Sequence, residues 1–113
     1  MTTSRRYGST TPVAHAGAMR ATGIPDVWGI EPSPYLLQLA APRHRGVRFV
    51  QGIVERTDFA SGRFDGVGAC FLFHELPLRA ANAGLEEIRR ILVPGGRLVI
   101  AEPSPVQFRP RDW

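Results

Sequence analysis

The segment Asp65-Gly66-Val67-Gly68-Ala69-Cys70-Phe71-Leu72-Phe73 opens on one charge and then runs eight residues without another. A strand with one face in water alternates apolar and polar side chains, and this run does not. It reads as a strand in the middle of a parallel sheet, covered on both faces. Parallel neighbours need long crossovers, usually helical, so this stretch commits the chain to an α/β architecture. At seven residues, its apolar part 67–73 is far short of the roughly 20 that a membrane span needs.

The rest of the chain supplies the alternating elements. Residues 80–91 bring Leu85, Ile88 and Leu92 to helical spacing, with Glu86, Glu87, Arg89 and Arg90 turned away and Glu86–Arg90 as a favourable i,i+4 pair. Pro94-Gly95-Gly96 predicts a tight structural turn feeding a last strand over 97–101. Upstream, 27–30 predicts a strand that ends at Glu31. Ser33 then caps a short helix with Pro34 at its first position, striped by Tyr35, Leu36, Leu39 and Ala40 and stopped before Pro42. Residues 47–50 predict another strand, followed by a loop punctuated by Thr57-Asp58-Phe59 and Ser61-Gly62. The alanine-rich stretch 13–22 predicts a short helix ended by Gly23 in a left-handed cap. Trp28 and Tyr35 are expected to pack the core. The expected fold is α/β, an incomplete doubly wound, mainly parallel sheet of about four strands. Residues 1–22 would form a poorly ordered arm with a short helix, 23–105 the α/β domain, and 106–113 a tail.

With 113 residues, 43% hydrophobic and 21% charged, the chain suits one domain with one core and is not of a disordered composition. Net charge is +4, and every one of its 14 basic residues is arginine. The arginines are scattered from Arg5 to Arg111 rather than massed in one stretch, which argues against nucleic-acid binding. Cys70 is alone, so no intrachain disulfide forms and a reducing, cytoplasmic setting fits. His15, His44 and His74 lack metal-ligand spacing, and no metal site is expected. No acid precedes Asp26, a faint likeness to a transit peptide, although a frayed arm is the simpler reading.

Glu31, at the carboxyl end of its strand, is placed where open α/β sheets hold a ribose, since a carboxylate can accept from two adjacent hydroxyls. The alternative is a solvated charge favoured by the following helix dipole. No Gly-x-Gly turn precedes Glu31. His74 follows the apolar strand and has a pKa suited to taking a proton from a hydroxyl, amine or carbon acid, the alternative being an ordinary loop histidine. Glu75 reads as solvated, and Glu102 as an acid at the end of the last strand.

From about Gly23 to Pro105 the chain resembles the class I (Rossmann-like) S-adenosylmethionine-dependent methyltransferases, especially their small-molecule branch. Three segments carry the likeness in the family's order. Gly29-Ile30-Glu31-Pro32-Ser33-Pro34-Tyr35-Leu36-Leu37 is similar to the second-strand acid and Ser-Pro helix start. The stretch from Phe64-Asp65-Gly66-Val67 through Phe73-His74-Glu75-Leu76-Pro77 is similar to the fourth strand and its loop. Leu85-Glu86-Glu87-Ile88-Arg89-Arg90-Ile91-Leu92-Val93-Pro94-Gly95-Gly96-Arg97-Leu98 is similar to the helix, turn and fifth strand.

The resemblance implies that Glu31 binds the ribose of S-adenosylmethionine, that Val54 and Glu55 lie beside the adenine, and that Phe71 and Leu72 lie near the methionine portion. His74 would then stand on the substrate side as a base toward a small-molecule acceptor. The chain departs from the family in three places. Ile53 stands where many relatives place an adenine-binding aspartate, no first strand with a glycine-rich turn is evident, and no final strands follow Pro103, as in a truncated domain. The absent first strand would leave a gap between the strands ending at Glu31 and Phe73. The expectation is that these pair directly, with an association with another chain or a segment of 1–25 as the other ways to close the sheet. Within that arm Thr10-Thr11-Pro12-Val13 is the only extended candidate, and its proline argues against a central strand. The rival readings are a noncatalytic remnant or partner subunit, a nicotinamide-dependent oxidoreductase fragment, and an arginine-driven nucleic-acid module.

Overall fold

The computed structural model describes residues 5–10, 13–70 and 76–101. Its elements are β1 (Arg6–Ser9), α1 (Val13–Ala21), β2 (Asp26–Glu31), α2 (Pro34–Arg43), β3 (Val47–Gln51), β4 (Phe64–Cys70), α3 (Leu78–Ile91) and β5 (Leu92–Ala101). They build a five-stranded sheet in the order β3-β2-β1-β4-β5, parallel at every pairing.

The sheet's centre corrects the reading of the amino-terminal arm. β2 and β4 do not pair with each other, because β1 lies between them, with Ser9 opposite Gly29 on one side and Gly68 on the other. Arg6-Tyr7-Gly8-Ser9 is short and polar in sequence, yet Gly8 and Ser9 are buried. Glycine makes room on both sides of the β1–β4 seam. A Cβ on Gly66 would come within 3.2 Å of the Tyr7 ring, and one on Gly8 within 3.5 Å of the Phe64 ring. At the strand's start Asp65 Oδ2 accepts from the Arg6 backbone N–H at 2.8 Å and from its Nε at 3.3 Å. Val13 begins α1, in line with the helix expected over 13–22, so within the stretch 10–13 it is not extended, and Pro12 lies outside the described residues.

Two clusters of buried side chains flank the sheet. Ala16 of α1 packs with Val27 and Val47, and Met19, Ile24 and Phe49 close around them. Ile88 and Ile91 of α3 pack with Val54, Phe64 and Val67. Trp28 is half-buried beside this second cluster, edge-on to Phe59 at 5.7 Å, and Phe59 is in turn edge-on to Phe64 at 4.8 Å. The helix caps follow the sequence, with Gly23 at φ 96° after α1 and Ser33 Oγ accepting from the Leu36 N–H at 3.3 Å.

Several local expectations are revised. α2 continues through Pro42 to Arg43, since near the helix's end a proline forfeits a single backbone bond while the His44 N–H still reaches the Ala40 carbonyl at 3.1 Å. Only Ala40 of α2 is buried. Tyr35, expected in the core, is 68% exposed, and Leu36 and Leu39 are exposed too, because α2 lies mainly against the edge strand β3. Glu87 does not face away from the protein. It accepts from Thr57 N–H at 2.6 Å, Thr57 Oγ1 at 2.7 Å and Arg90 Nε at 2.7 Å, so the ion pair runs from Glu87 to Arg90 at i,i+3 rather than from Glu86. Finally, β5 begins at Leu92 and absorbs Pro94-Gly95-Gly96 as an irregularity, Phe64 pairing with Leu92 and Gly66 with Arg97.

Candidate functional site

Parallel pairing on both sides of β1 fixes what shares a rim. Ser9 is level with Gly29 and Gly68, so Glu31 and Cys70, each two residues further on, end at the same carboxyl edge and flank the point where the chain leaves β1 for α1. The Thr10 N–H donates to the Gly68 carbonyl at 3.0 Å, holding the strand end against β4. From β1 the chain winds outward through β2 to β3 and then returns to β4 on the other side. This is a switch point, outside whose carboxyl ends open α/β sheets bind ligands.

Glu31 is only 3% exposed. Among the described residues its carboxylate receives one hydrogen bond, from the Ser33 N–H to Oε1 at 3.1 Å, at the start of α2. Its carbonyl accepts from the Gly52 N–H at 3.2 Å, which draws the end of β3 alongside. A cleft of about 220 Å³ opens here, lined by Thr10 from the end of β1, Ile30 and Pro32 on either side of Glu31, and Ile53, Val54 and Glu55 after β3. The Arg56 N–H to Ile53 carbonyl bond, 3.3 Å, tightens the turn that holds Val54 buried and Glu55 half-buried. Ile53 is half exposed and offers no acceptor.

Of the sequence-derived candidates, Val54 and Glu55 line this cleft, and Glu31 stands in sequence between its lining residues Ile30 and Pro32 without itself lining it. Phe71, Leu72, His74 and Glu75, like Glu102, lie outside the described residues. The sequence reading missed Thr10 as part of the cleft wall. No sequence signal marked it, because Thr10 reaches the cleft only by following β1, whose four residues carry no periodicity. Among the described residues no three His, Cys, Asp or Glu gather as a metal site, and no helix is long and apolar enough to cross a membrane.

The all-parallel sheet that reverses direction at β1 is a doubly wound α/β fold. The chain belongs to the methyltransferase domain family, whose model matches residues 8–100. A demethylmenaquinone methyltransferase from Beutenbergia cavernae is 41% identical over 68 residues, covering 60% of this chain and 28% of that protein. The S-adenosylmethionine-bound structure of an amino pentose methyltransferase of calicheamicin biosynthesis from Micromonospora echinaspora superposes with a TM-score of 0.79 at 27% identity, covering 94% of this chain and 46% of that one. A methyltransferase in complex with the Haloferax volcanii Trm112 activator superposes with a TM-score of 0.74 at 26% identity, covering 86% and 44%. The chain thus spans less than half the length of each. Membership in this family replaces the nicotinamide oxidoreductase reading.

Proposed function

We propose that this chain binds S-adenosylmethionine at the cleft beside Glu31 and serves methyl transfer to a small-molecule acceptor. The observation that carries the reading is the Glu31 carboxylate, held at the carboxyl end of β2 by one bond from Ser33 among the described residues, a carboxylate that can accept from a ribose diol as well. Val54 supplies an apolar wall for the base, and Glu55 supplies a carboxylate in the same cleft where Ile53 has none. Phe71 and Leu72, which follow β4 in sequence, are assigned to the methionine portion. The bound cofactor would supply a methyl group on a positively charged sulfur, a good leaving group. The chain's task is to align acceptor and methyl and, through His74, to take the acceptor's proton as the new bond forms. The family match and the S-adenosylmethionine held by the Micromonospora relative support the cofactor assignment.

Association with another chain is part of the proposal, since the Haloferax relative is seen in complex with an activator. A cytoplasmic setting rests on the lone Cys70. No nucleic-acid role is proposed, because Arg6, Arg63 and Arg90 are held by Asp65, Asp26 and Glu87. The alternative is a noncatalytic remnant or partner subunit of the same fold. Calorimetric titration of S-adenosylmethionine into the wild type and Glu31→Ala tests the reading, with Leu39→Ala as a surface control. Saturable binding weakened roughly tenfold or more only in Glu31→Ala is expected. Equal affinity in all three would refute it.

A further inference from the structure

α2 has apolar side chains on both of its faces. Ala40 is buried and Leu37 half-buried, while Tyr35, Leu36 and Leu39 are exposed. A helix that is apolar all round is ordinarily covered on both sides, and a cluster of large apolar side chains in water marks a surface that something covers. Leu36, Leu39 and Arg43 follow one another at i, i+3 and i+7, so the exposed apolar face runs down to an arginine. Arg45 comes next, in the turn into β3. Arg20 of α1 lies over the same turn, where a Cβ on Gly46 would come within 2.7 Å of the Arg20 Cγ. The turn is fixed in place, with the His44 ring against Gly17 of α1 and the Val47 N–H donating to the His44 carbonyl at 3.0 Å. Arg20, Arg43 and Arg45 are exposed and form no ion pair among the described residues.

The charge of the molecule is concentrated in the same half of the chain. Residues 1–54 hold six arginines against two acids, Asp26 and Glu31, whereas 55–113 hold eight against eight, so the whole net charge of +4 belongs to the first 54 residues. Neither acid answers the arginines at this surface. Asp26 Oδ2 is paired with Arg63 Nη2 at 3.0 Å, its Oδ1 accepts from Trp28 Nε1 at 2.9 Å, and Glu31 is buried. No other acid stands before Glu55. Right-handed crossovers put α1 and α2 on one face of the sheet. Arg6 is tied to Asp65, and Arg48 lies over the Trp28 ring at 5.5 Å, on the α3 side, which leaves Arg20, Arg43 and Arg45 beside the apolar face of α2.

We propose that the outer face of α2, with the arginine turn that follows it, docks on an anionic lipid bilayer. Tyr35, Leu36 and Leu39 enter the boundary between headgroups and acyl chains, and Arg20, Arg43 and Arg45 meet the lipid phosphates. Charge selects this occupant over a second copy, because a two-fold contact would bring together two surfaces of one sign with no acid on either to answer the arginines. Size selects it over a folded protein partner. The face of a ten-residue helix is about 15 Å long, and it offers far less than the roughly 800 Å² per partner of a stable protein interface. A nucleic acid would engage the arginines but give Leu36 and Leu39 no apolar medium to enter. Pro32, which lines the cleft, directly precedes the Ser33 cap of α2, so docking brings the cleft close to the lipid.

Two measurements on the full chain test this, and neither uses S-adenosylmethionine, so the outcome is separate from that of the cofactor reading. In cosedimentation, phosphatidylcholine vesicles containing one quarter phosphatidylglycerol should bind the chain about tenfold more tightly than phosphatidylcholine alone, with affinity falling as salt rises. Leu36→Ser/Leu39→Ser and Arg43→Gln/Arg45→Gln should each weaken that binding about fivefold or more. Arg79→Gln/Arg89→Gln, which removes the same charge from exposed sites on α3, should change it by no more than about twofold. Absence of binding to the anionic vesicles, or equal losses in the two arginine pairs, overturns the proposal. So does an unaffected leucine pair, which would leave a polyanion site of the kind a nucleic acid fills, or a dimer in sedimentation velocity that Leu36→Ser/Leu39→Ser dissociates, which would give the face to a second copy. Independently, in a Cys70→Ala background, an environment-sensitive dye on Leu39→Cys should shift to the blue on anionic vesicles, while the same dye on Arg89→Cys should not. Equal shifts at the two sites, or none at Leu39→Cys, overturn it.

Discussion

Glu87 sits one position along α3 from the acid that helical spacing pairs with Arg90, yet it is the one that ties the β3–β4 loop to the helix. The Arg90 guanidinium, helped by the Thr57 hydroxyl and N–H, holds its carboxyl down to about 2 against burial that pushes the other way. A carboxyl depressed in the folded state stabilises above its ordinary value near 4.5, and that contribution disappears as pH falls through about 2. Glu87→Gln should therefore lower the melting temperature at pH 7, by an effect of about 1 kcal/mol. The gap to wild type should close as pH drops from 4.5 toward 2, which thermal melts across that range will show. Gly29 carries a second residue-scale prediction. A Cβ there would lie 2.7 Å from the Phe49 ring, inside the α1-side cluster. Gly29→Ala should cost about 1–3 kcal/mol by overpacking, read as a lower denaturant midpoint at unchanged slope.

At the scale of elements, what the sequence announced and what it hid follow from who supplies the stabilisation. β4 was legible because a strand buried on both faces must be apolar, and α3 because one face meets the core while the other meets water. β1 was illegible because four residues, one of them Gly8 and two of them polar, carry no periodic signal. Its burial comes from the strands on either side, and glycines at the seam admit its tyrosine. α2 misled in the opposite sense, with an apolar stripe that the sheet's edge leaves largely uncovered. Deleting residues 1–10 should accordingly remove a central strand rather than a dispensable arm, since β2 and β4 make no ladder with each other. Circular dichroism melts of that deletion should show loss of the cooperative transition. A cooperative unfolding close to that of the full chain would restore the direct pairing that β1 displaces.

At the scale of the molecule, the candidate site is a consequence of topology. Parallel strands on both sides of β1 bring the Glu31 and Cys70 ends to one rim, and the turn after β3 folds Val54 and Glu55 in beside them. Glu31 was readable because strand, acid and Ser-Pro cap stand together in sequence. Thr10 was not, because its place at the cleft depends on a strand that only the assembled sheet reveals. The central claim is that one carboxylate holds a sugar diol. It is tested most directly by comparing S-adenosylhomocysteine with its 2′-deoxy analogue by calorimetry on the wild type and Glu31→Gln. The wild type should bind the deoxy analogue roughly tenfold more weakly, and Glu31→Gln should lose most of that discrimination. A wild type that binds both ligands equally, or a Glu31→Gln variant that keeps the full preference, would contradict it.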